Sequence, residues 1–360
     1  GPSLDILEPI YAENSEGLGT RTFGGDPFWV SRMGTAYIQG LHNGSENRLA
    51  VIAKHFPGRG SADRPAEDEV ATVRKTLEQM VDEDLVPFFS VTNGALESSQ
   101  TADGFLVSHI RYQFQGNIRQ VTRPVSFDRA ALDQLLGLEP LASWRTEGGV
   151  VVSDNLGSQA VRLYYDPALR SFDGRTVARN AFLAGNDLLY LNNFQSTGDE
   201  DELTSIIRTL DSFAQKYRED DAFAQQVDVS ALRILTLKFR LYPRFSLEQV
   251  LPGVGDLAEI GKADAITFDV AQNSVTLISP TASELSVNLP RGPISSERII
   301  FLTDARESQA CSVCEAQTSM GIDALQTAAL RLYGPMAGGQ VHQNRVTSYS
   351  FGELTRLLNQ

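Results

Sequence analysis

The chain has 360 residues, of which 42% are hydrophobic and 21% charged, and a formal net charge of −14. That length fits one large domain with part of a second, because single cores stop growing near ~250–300 residues. The acidic balance argues against nucleic acid and anionic membrane surfaces as partners, since both need clustered Lys and Arg. No apolar run approaches the ~20 residues of a membrane-spanning helix.

The chain begins Gly1-Pro2 and passes directly into a strand-like stretch, Ser3–Leu7, so it reads as a piece of a longer protein. Asp26-Pro27 is a helix start, an N-cap acid followed by proline, and apolar residues continue from it to Leu41. Four short apolar runs then end on polar residues: Leu49–His55, Gly104–Ile110, Gly149–Asn155 and Asp187–Asn193. Their near-continuous, β-branched character suits strands buried on both faces of a parallel sheet. Between them, Val70, Val73, Leu77, Met80, Val81 and Leu85 recur at helical spacing up to Pro87. Helical patterns follow over Phe127–Leu136, Thr176–Ala184, Glu202–Tyr217 and Val229–Phe239.

Strand–helix alternation predicts a parallel sheet, open or closed. Lys54-His55, His109, Asp154 and Asn192-Asn193 all fall at the C-terminal ends of their strands, the face where (β/α)8 barrels place active sites. An open doubly wound sheet shares that rule, but no Gly-x-Gly-x-x-Gly follows the first strand. The expectation is therefore an α/β fold with a TIM-type (β/α)8 barrel lacking its first strands.

The texture changes after Pro243, where "LPGVGD" leads to "NSVTLISP", "ERIIFLTDA" and a helical stretch over Ile322–Leu332. The expected division is a barrel over 1–242, a linker over 243–265 and a partial α/β domain over 266–360. Cys311 and Cys314 form the lone Cys-x-x-Cys pair. Zinc wants four ligands and no second pair exists, so structural thiols or a local disulfide is the expectation, with no metal and no cofactor.

Asp154, after three valines, reads as a nucleophile, base or metal ligand at a strand mouth, or as the N-cap of the next helix. Lys54-His55 offers adjacent hydrogen-bond donors. Neighbours on a regular strand point to opposite faces, so serving one ligand requires a distorted backbone, and Pro57-Gly58 follows at once.

With "FPGRG" behind Lys54-His55, the chain resembles the glycoside hydrolases of family 3, particularly their bacterial β-N-acetylhexosaminidase branch. The resemblance covers residues 1–242 through "GPSLDI", "RTFGGDP", "KHFPGRG", "DLVPF", "LVSHI", "GVVVSDNLG" and "AFLAGNDLLYL". It implies a barrel, usually with an α/β sandwich domain behind it, and a carbohydrate or glycoside substrate. The implied mechanism retains anomeric configuration: a carboxylate attacks the anomeric carbon while an acid protonates the leaving oxygen. Asp154 matches the nucleophile, Arg21, Lys54 and His55 match residues that bind sugar hydroxyls, and His109 lies at a strand end beside that subsite.

The loop after "KHFPGRG" departs from the pattern. Relatives carry Asp-Ser/Thr-His there, with the Asp-His dyad supplying the acid, whereas this chain has Pro65-Ala66-Glu67. Asp63, Glu67 and Asp68 are the local replacements, read either as proton donors or as solvated loop acids, with Asp68-Glu69 opening the next helix. The family's β-glucosidase branch takes its acid from the second domain instead. The leading reading is a retaining β-glycosidase; the alternatives are a barrel that binds carbohydrate without cleaving it, and an aldolase-type barrel with Lys54 as a Schiff-base amine.

Overall fold

The computed structural model describes residues 1–8, 18, 21–119, 121–242, 262–275, 281–288, 292–303 and 320–359, with isolated residues between the later segments. Two compact units are distinguished, Gly1–Ser246 and a second built from segments between 247 and 360.

The first unit opens with an extended stretch through Ser3 and then α1 (Pro27–Gly44) and β1 (Ile52–Phe56). Next come β2 (Thr72–Val73), α2 (Leu77–Asp82), α3 (Val86–Ser90), β3 (Gly104–Val107) and β4 (Arg111–Tyr112). The unit continues through α4 (Arg129–Leu136), α5 (Leu141–Glu147), β5 (Val150–Ser153), α6 (Gln159–Tyr165) and α7 (Gly174–Ala184). It ends with α8 (Glu202–Glu219) and α9 (Asp221–Leu241).

The sheet is parallel, in the order β1-β3-β5. Parallel bridges extend it on both sides, Ser3 to Lys54 and Thr22 at one edge and Leu188 to Val152 at the other. The sheet is thus an α/β element of at least six extended segments, and among the described residues no pairing joins its two edges. Asp187–Asn193 contributes a single bridge rather than the expected full strand.

Burial explains the arrangement. Asp26 caps α1 by accepting from the Phe28 and Trp29 N–H groups, and Val30, Gly34 and Ile38 face inward. Phe56 and Phe105 stack at 5.1 Å, Phe88 meets both edge-on, and Trp144 lies 4.4 Å from Phe105. Four rings packed between strands and helices supply apolar burial and favourable ring geometry together.

The expected helix over 70–85 is the main difference. Thr72-Val73 is extended and pairs with Arg111-Tyr112, and helix begins only at Leu77, after a Thr76–Gln79 capping box. Asp63 decides this locally: its backbone N–H donates to the Thr72 carbonyl, and its carboxylate accepts the Thr72 N–H at 2.8 Å. Pro87 lies in the first turn of α3 instead of ending a helix.

At the N-terminal ends of the strands, two aspartates repeat one device. Asp103 accepts the Val51 N–H at 2.8 Å, and Asp187 accepts the Val151 N–H at 2.9 Å. Helix α9 locks onto both with one face: Ser230 and Arg233 donate to Asp187, and Arg240 donates to Asp103 at 3.0 Å. His42 completes the Asp103 site from α1 at 2.9 Å.

In the second unit, Ile299–Thr303 pairs in parallel with Val346–Ser350. Helices Ala324–Tyr333 and Phe351–Leu358 flank that pair, the latter opened by a Ser350–Glu353 capping box. Asp264–Ser274 is helical. Cys311, Cys314 and residues 276–280 of "NSVTLISP" lie outside the described residues.

If α9 is held through these carboxylates, Arg240→Met lowers stability by roughly 1.5–3 kcal/mol, the range for hydrogen bonds to charged groups. Urea titration followed by circular dichroism measures this; an unchanged midpoint contradicts it.

Candidate active site

The strand ends are level. Ser108 N–H donates to the Phe56 carbonyl at 2.9 Å, and Asp154 N–H donates to the Val107 carbonyl at 3.0 Å. Lys54-His55, Ser108-His109 and Ser153-Asp154 therefore occupy one rim. The β1–β3 register shifts between Lys54 and Phe56, so the regular alternation is broken where the two basic residues sit; the Lys54–His55 peptide is cis.

Asp5 is the buried centre of this rim, with no exposed surface. One carboxylate oxygen accepts from His55 Nδ1 at 2.8 Å and from Ser3 Oγ at 2.6 Å. The other accepts the Arg59 backbone N–H at 2.8 Å. Burial opposes its ionisation, but His55, Arg59 and Ser3 outweigh that and hold its pKa well below the usual carboxylate range.

The turn after β1 needs its glycines. Gly58 has φ +120°, and a Cβ there would lie 2.9 Å from Asp84 Cβ; a Cβ on Gly60 would lie 1.8 Å from the Ile6 carbonyl oxygen. Tyr112 Oη donates to the Gly58 carbonyl at 2.7 Å. Behind the turn, Lys75 donates to Asp84 and Glu83, each at 2.8 Å. Burial pushes the Asp84 carboxyl up to about 6 against the pull of Lys75.

Arg59, the variable position of "KHFPGRG", carries the guanidinium of the site. It is 4% exposed and donates to Glu67 Oε1 at 2.7 Å. Burial works against its charge, and Glu67, Asp5 and Asp154 overcome this, so its pKa rises. Its Nε is buried without a hydrogen-bond partner.

Asp154 is partly accessible and accepts the Asn155 N–H at 2.8 Å. Burial again opposes ionisation, and the charges of His109, His55 and Arg59 with the Asn155 N–H bring its pKa below the ordinary value. Burial lowers His55 and His109. At neutral pH the persistent cation facing Asp154 is therefore Arg59.

His109 uses both ring nitrogens within the protein: Nδ1 pairs with Ser126 Oγ at 2.7 Å and Nε2 donates to the Asn155 carbonyl at 3.0 Å. Its ring stacks on Phe127. It holds the Asp154–Asn155 turn and has no nitrogen left for a sugar hydroxyl. Lys54 is half-buried, with its main chain bonded to Pro2 and Leu4. Arg21 is exposed, on the turn leading to Thr22, and neither it nor Lys54 is among the leading charges on Asp154. The structure thus gathers His55, His109 and Asp154, and adds Asp5, Arg59 and Glu67. No group of three or more His, Cys, Asp or Glu side chains among the described residues is arranged to hold a metal.

A cavity of about 830 Å³ lies elsewhere, lined by Arg145, Asp187, Lys216, Ser230 and Arg233 at the opposite ends of the strands. Its charged groups hold α9, which is a structural task; in parallel α/β folds the chemistry belongs to the other face.

The family model of the glycosyl hydrolase family 3 N-terminal domain matches residues 4–237. The chain belongs to glycosyl hydrolase family 3. A β-hexosaminidase of Idiomarina loihiensis is 29% identical over 193 residues, 53% of this chain and 48% of that one. One of Xylella fastidiosa is 32% identical over 161 residues, 45% of this chain and 41% of that one. The chain spans about half the length of the curated relatives it matches. Among solved structures, a family 3 β-N-acetylglucosaminidase from Paenibacillus superposes with TM-score 0.65 at 19% identity, covering 100% of this chain and 59% of that one. A β-glucoside phosphorylase bound to 2FGlc gives TM-score 0.68 at 18% identity, covering 98% and 55%. At such identities the structural likeness speaks for the fold alone.

Two neutral buried imidazoles have a pH consequence. The unfolded chain takes up protons at His55 and His109 below about 6.5, and the folded chain resists. Stability is full above that pH and is lost as pH falls through it. His42 acts in the opposite sense: its hydrogen bond to Asp103 raises its pKa, adding stability that is lost as pH rises. Urea midpoints between pH 7.5 and pH 5 should fall, less steeply in His109→Gln and more steeply in His42→Gln; identical slopes in all three contradict this assignment.

Proposed function

We propose that this chain carries the nucleophile of a retaining glycoside hydrolase acting on terminal β-linked sugars, of the β-N-acetylhexosaminidase or β-glucosidase type, with Asp154 as that nucleophile. The parallel sheet is read as part of a (β/α)8 barrel, and Arg21, Lys54 and His55 as the groups that face the sugar. The observation that carries the reading is Asp154 itself, partly accessible at a strand end and kept ionised beside a buried Arg59. A nucleophilic carboxylate must be charged and reachable at once, and a purely structural N-cap has no need of a buried guanidinium. His109 serves by fixing the turn that aims the carboxylate.

In the first step Asp154 attacks the anomeric carbon as the glycosidic oxygen leaves with a proton; in the second, water displaces Asp154. Charge-assisted hydrogen bonds from Lys54 and Arg21 to hydroxyls would orient the ring. The second reading, a barrel that binds carbohydrate without cleaving it, is favoured by Pro65-Ala66, which cannot transfer a proton.

A slow 2-fluoro glycoside separates the two. Intact-mass and peptide spectrometry on 2,4-dinitrophenyl 2-fluoro-β-glucoside, and a fluorinated N-acetylglucosaminide, should show a covalent adduct on Asp154. Asp154→Asn should neither label nor turn over 2,4-dinitrophenyl glycosides. Sugar binding by calorimetry with no labelling and no turnover of any activated glycoside would establish the binding-only reading.

A further inference from the structure

We propose that Glu67 is the carboxyl that moves the proton in both steps at Asp154, and that Arg59 is the positioning residue that aims it. This rests on the reading of Asp154 as nucleophile.

The geometry of the loop after β1 sets Glu67 apart from Asp63 and Glu69. Asp63 is engaged by the Thr72 N–H at 2.8 Å and by Arg64 Nε at 3.1 Å, holding β2 in place. Glu69 is exposed and pairs with Arg64 at 3.0 Å. Glu67 is turned inward to a buried guanidinium that faces both Asp5 and Asp154. Its side chain remains 31% exposed, so water and a leaving group can reach it.

Both ends of Glu67 are tied to the site. Its side chain bonds to Arg59, whose backbone N–H is held by Asp5 at 2.8 Å. Its main-chain carbonyl accepts the Ala160 N–H at 3.1 Å, on the helix that follows Asp154. The loop carrying Glu67 and the turn carrying Asp154 are thereby joined through protein on two sides. Arg59 Nε is buried without a hydrogen-bond partner in the protein.

The proton balance closes within these residues. In the first step the Asp154 carboxylate forms a bond to the anomeric carbon, the glycosidic bond breaks, and the departing oxygen takes the proton of the Glu67 carboxylic acid. In the second, water attacks the anomeric carbon, gives its proton to the Glu67 carboxylate, and the bond to Asp154 breaks. While Asp154 is ionised it competes with Glu67 for the charge of Arg59, which favours the protonated Glu67 that the first step needs. Once Asp154 is esterified, the full charge of Arg59 faces Glu67, in the step where Glu67 acts as a base.

The test compares wild type, Glu67→Gln, Glu67→Ala, Arg59→Met and Arg59→Lys on phenyl and 2,4-dinitrophenyl β-glycosides of glucose and N-acetylglucosamine. Glu67→Ala should lose about 10²–10⁴-fold in kcat/KM on the phenyl glycoside and far less on the dinitrophenyl one. Added azide should restore its turnover and yield the β-glycosyl azide. Labelling of Asp154 by the fluorinated dinitrophenyl sugar in Glu67→Gln shows that the variant site is folded. Arg59→Met should displace the pH profile of kcat/KM, with Arg59→Lys restoring its position. Asp154 labelled but Glu67→Ala within threefold of wild type on the phenyl glycoside, or unresponsive to azide, overturns the role of Glu67 alone. A wild-type chain that neither labels nor turns over removes this proposal together with the nucleophile.

Discussion

Asp5 is the constraint on which the rest of the site depends. A carboxylate with no exposed surface survives in a protein interior only when its oxygens are filled, and here Ser3, His55 and the Arg59 backbone fill them. Those three contacts join the first extended segment, the end of β1 and the loop beyond it. The loop can then carry an arginine inward because its main chain is already pinned. The order of cause runs from one buried charge, to a fixed turn, to a guanidinium whose charge reaches Asp154.

The opposite ends of the strands repeat the principle for stability. Asp103 and Asp187 each finish a backbone hydrogen-bond ladder and then receive cations from α9. The 830 Å³ cavity opens among those groups, but its charges are spent on one another. One end of the sheet uses buried carboxylates to hold a helix; at the other, buried Asp5 pins the turn that carries Arg59, one of the charges that keep Asp154 ionised.

Much of this was legible in the sequence, for identifiable reasons. The runs ending at His55, His109 and Asp154 are strands because continuous β-branched segments have nowhere to go but a sheet buried on both faces. The first part of the helix expected over 70–85 was not, because Val70 and Val73 continue the helical period of Leu77 and Met80 while Asp63 and Tyr112 recruit Thr72-Val73 into a strand pair. Periodicity records which side chains are buried and says nothing of which backbone partner is waiting. His109 shows the same limit: its place at a strand end was readable, but its two hydrogen bonds to Ser126 and Asn155 were not. Arg59 left no signal, since an arginine inside a glycine-rich turn ordinarily points to solvent. Asp5 was visible only as one letter of a strand, its importance arising from partners ~50 positions away in the chain.

The crystal structure of the chain trapped with a 2-fluoro-β-glycosyl group tests the central claim most directly. The account requires a bond from an Asp154 oxygen to the anomeric carbon, with Asp5 still holding His55 and Arg59, and the Glu67 carboxylate facing the open side of that carbon. A sugar attached to another residue, or seated in the cavity beside Asp187 with Asp154 untouched, contradicts it.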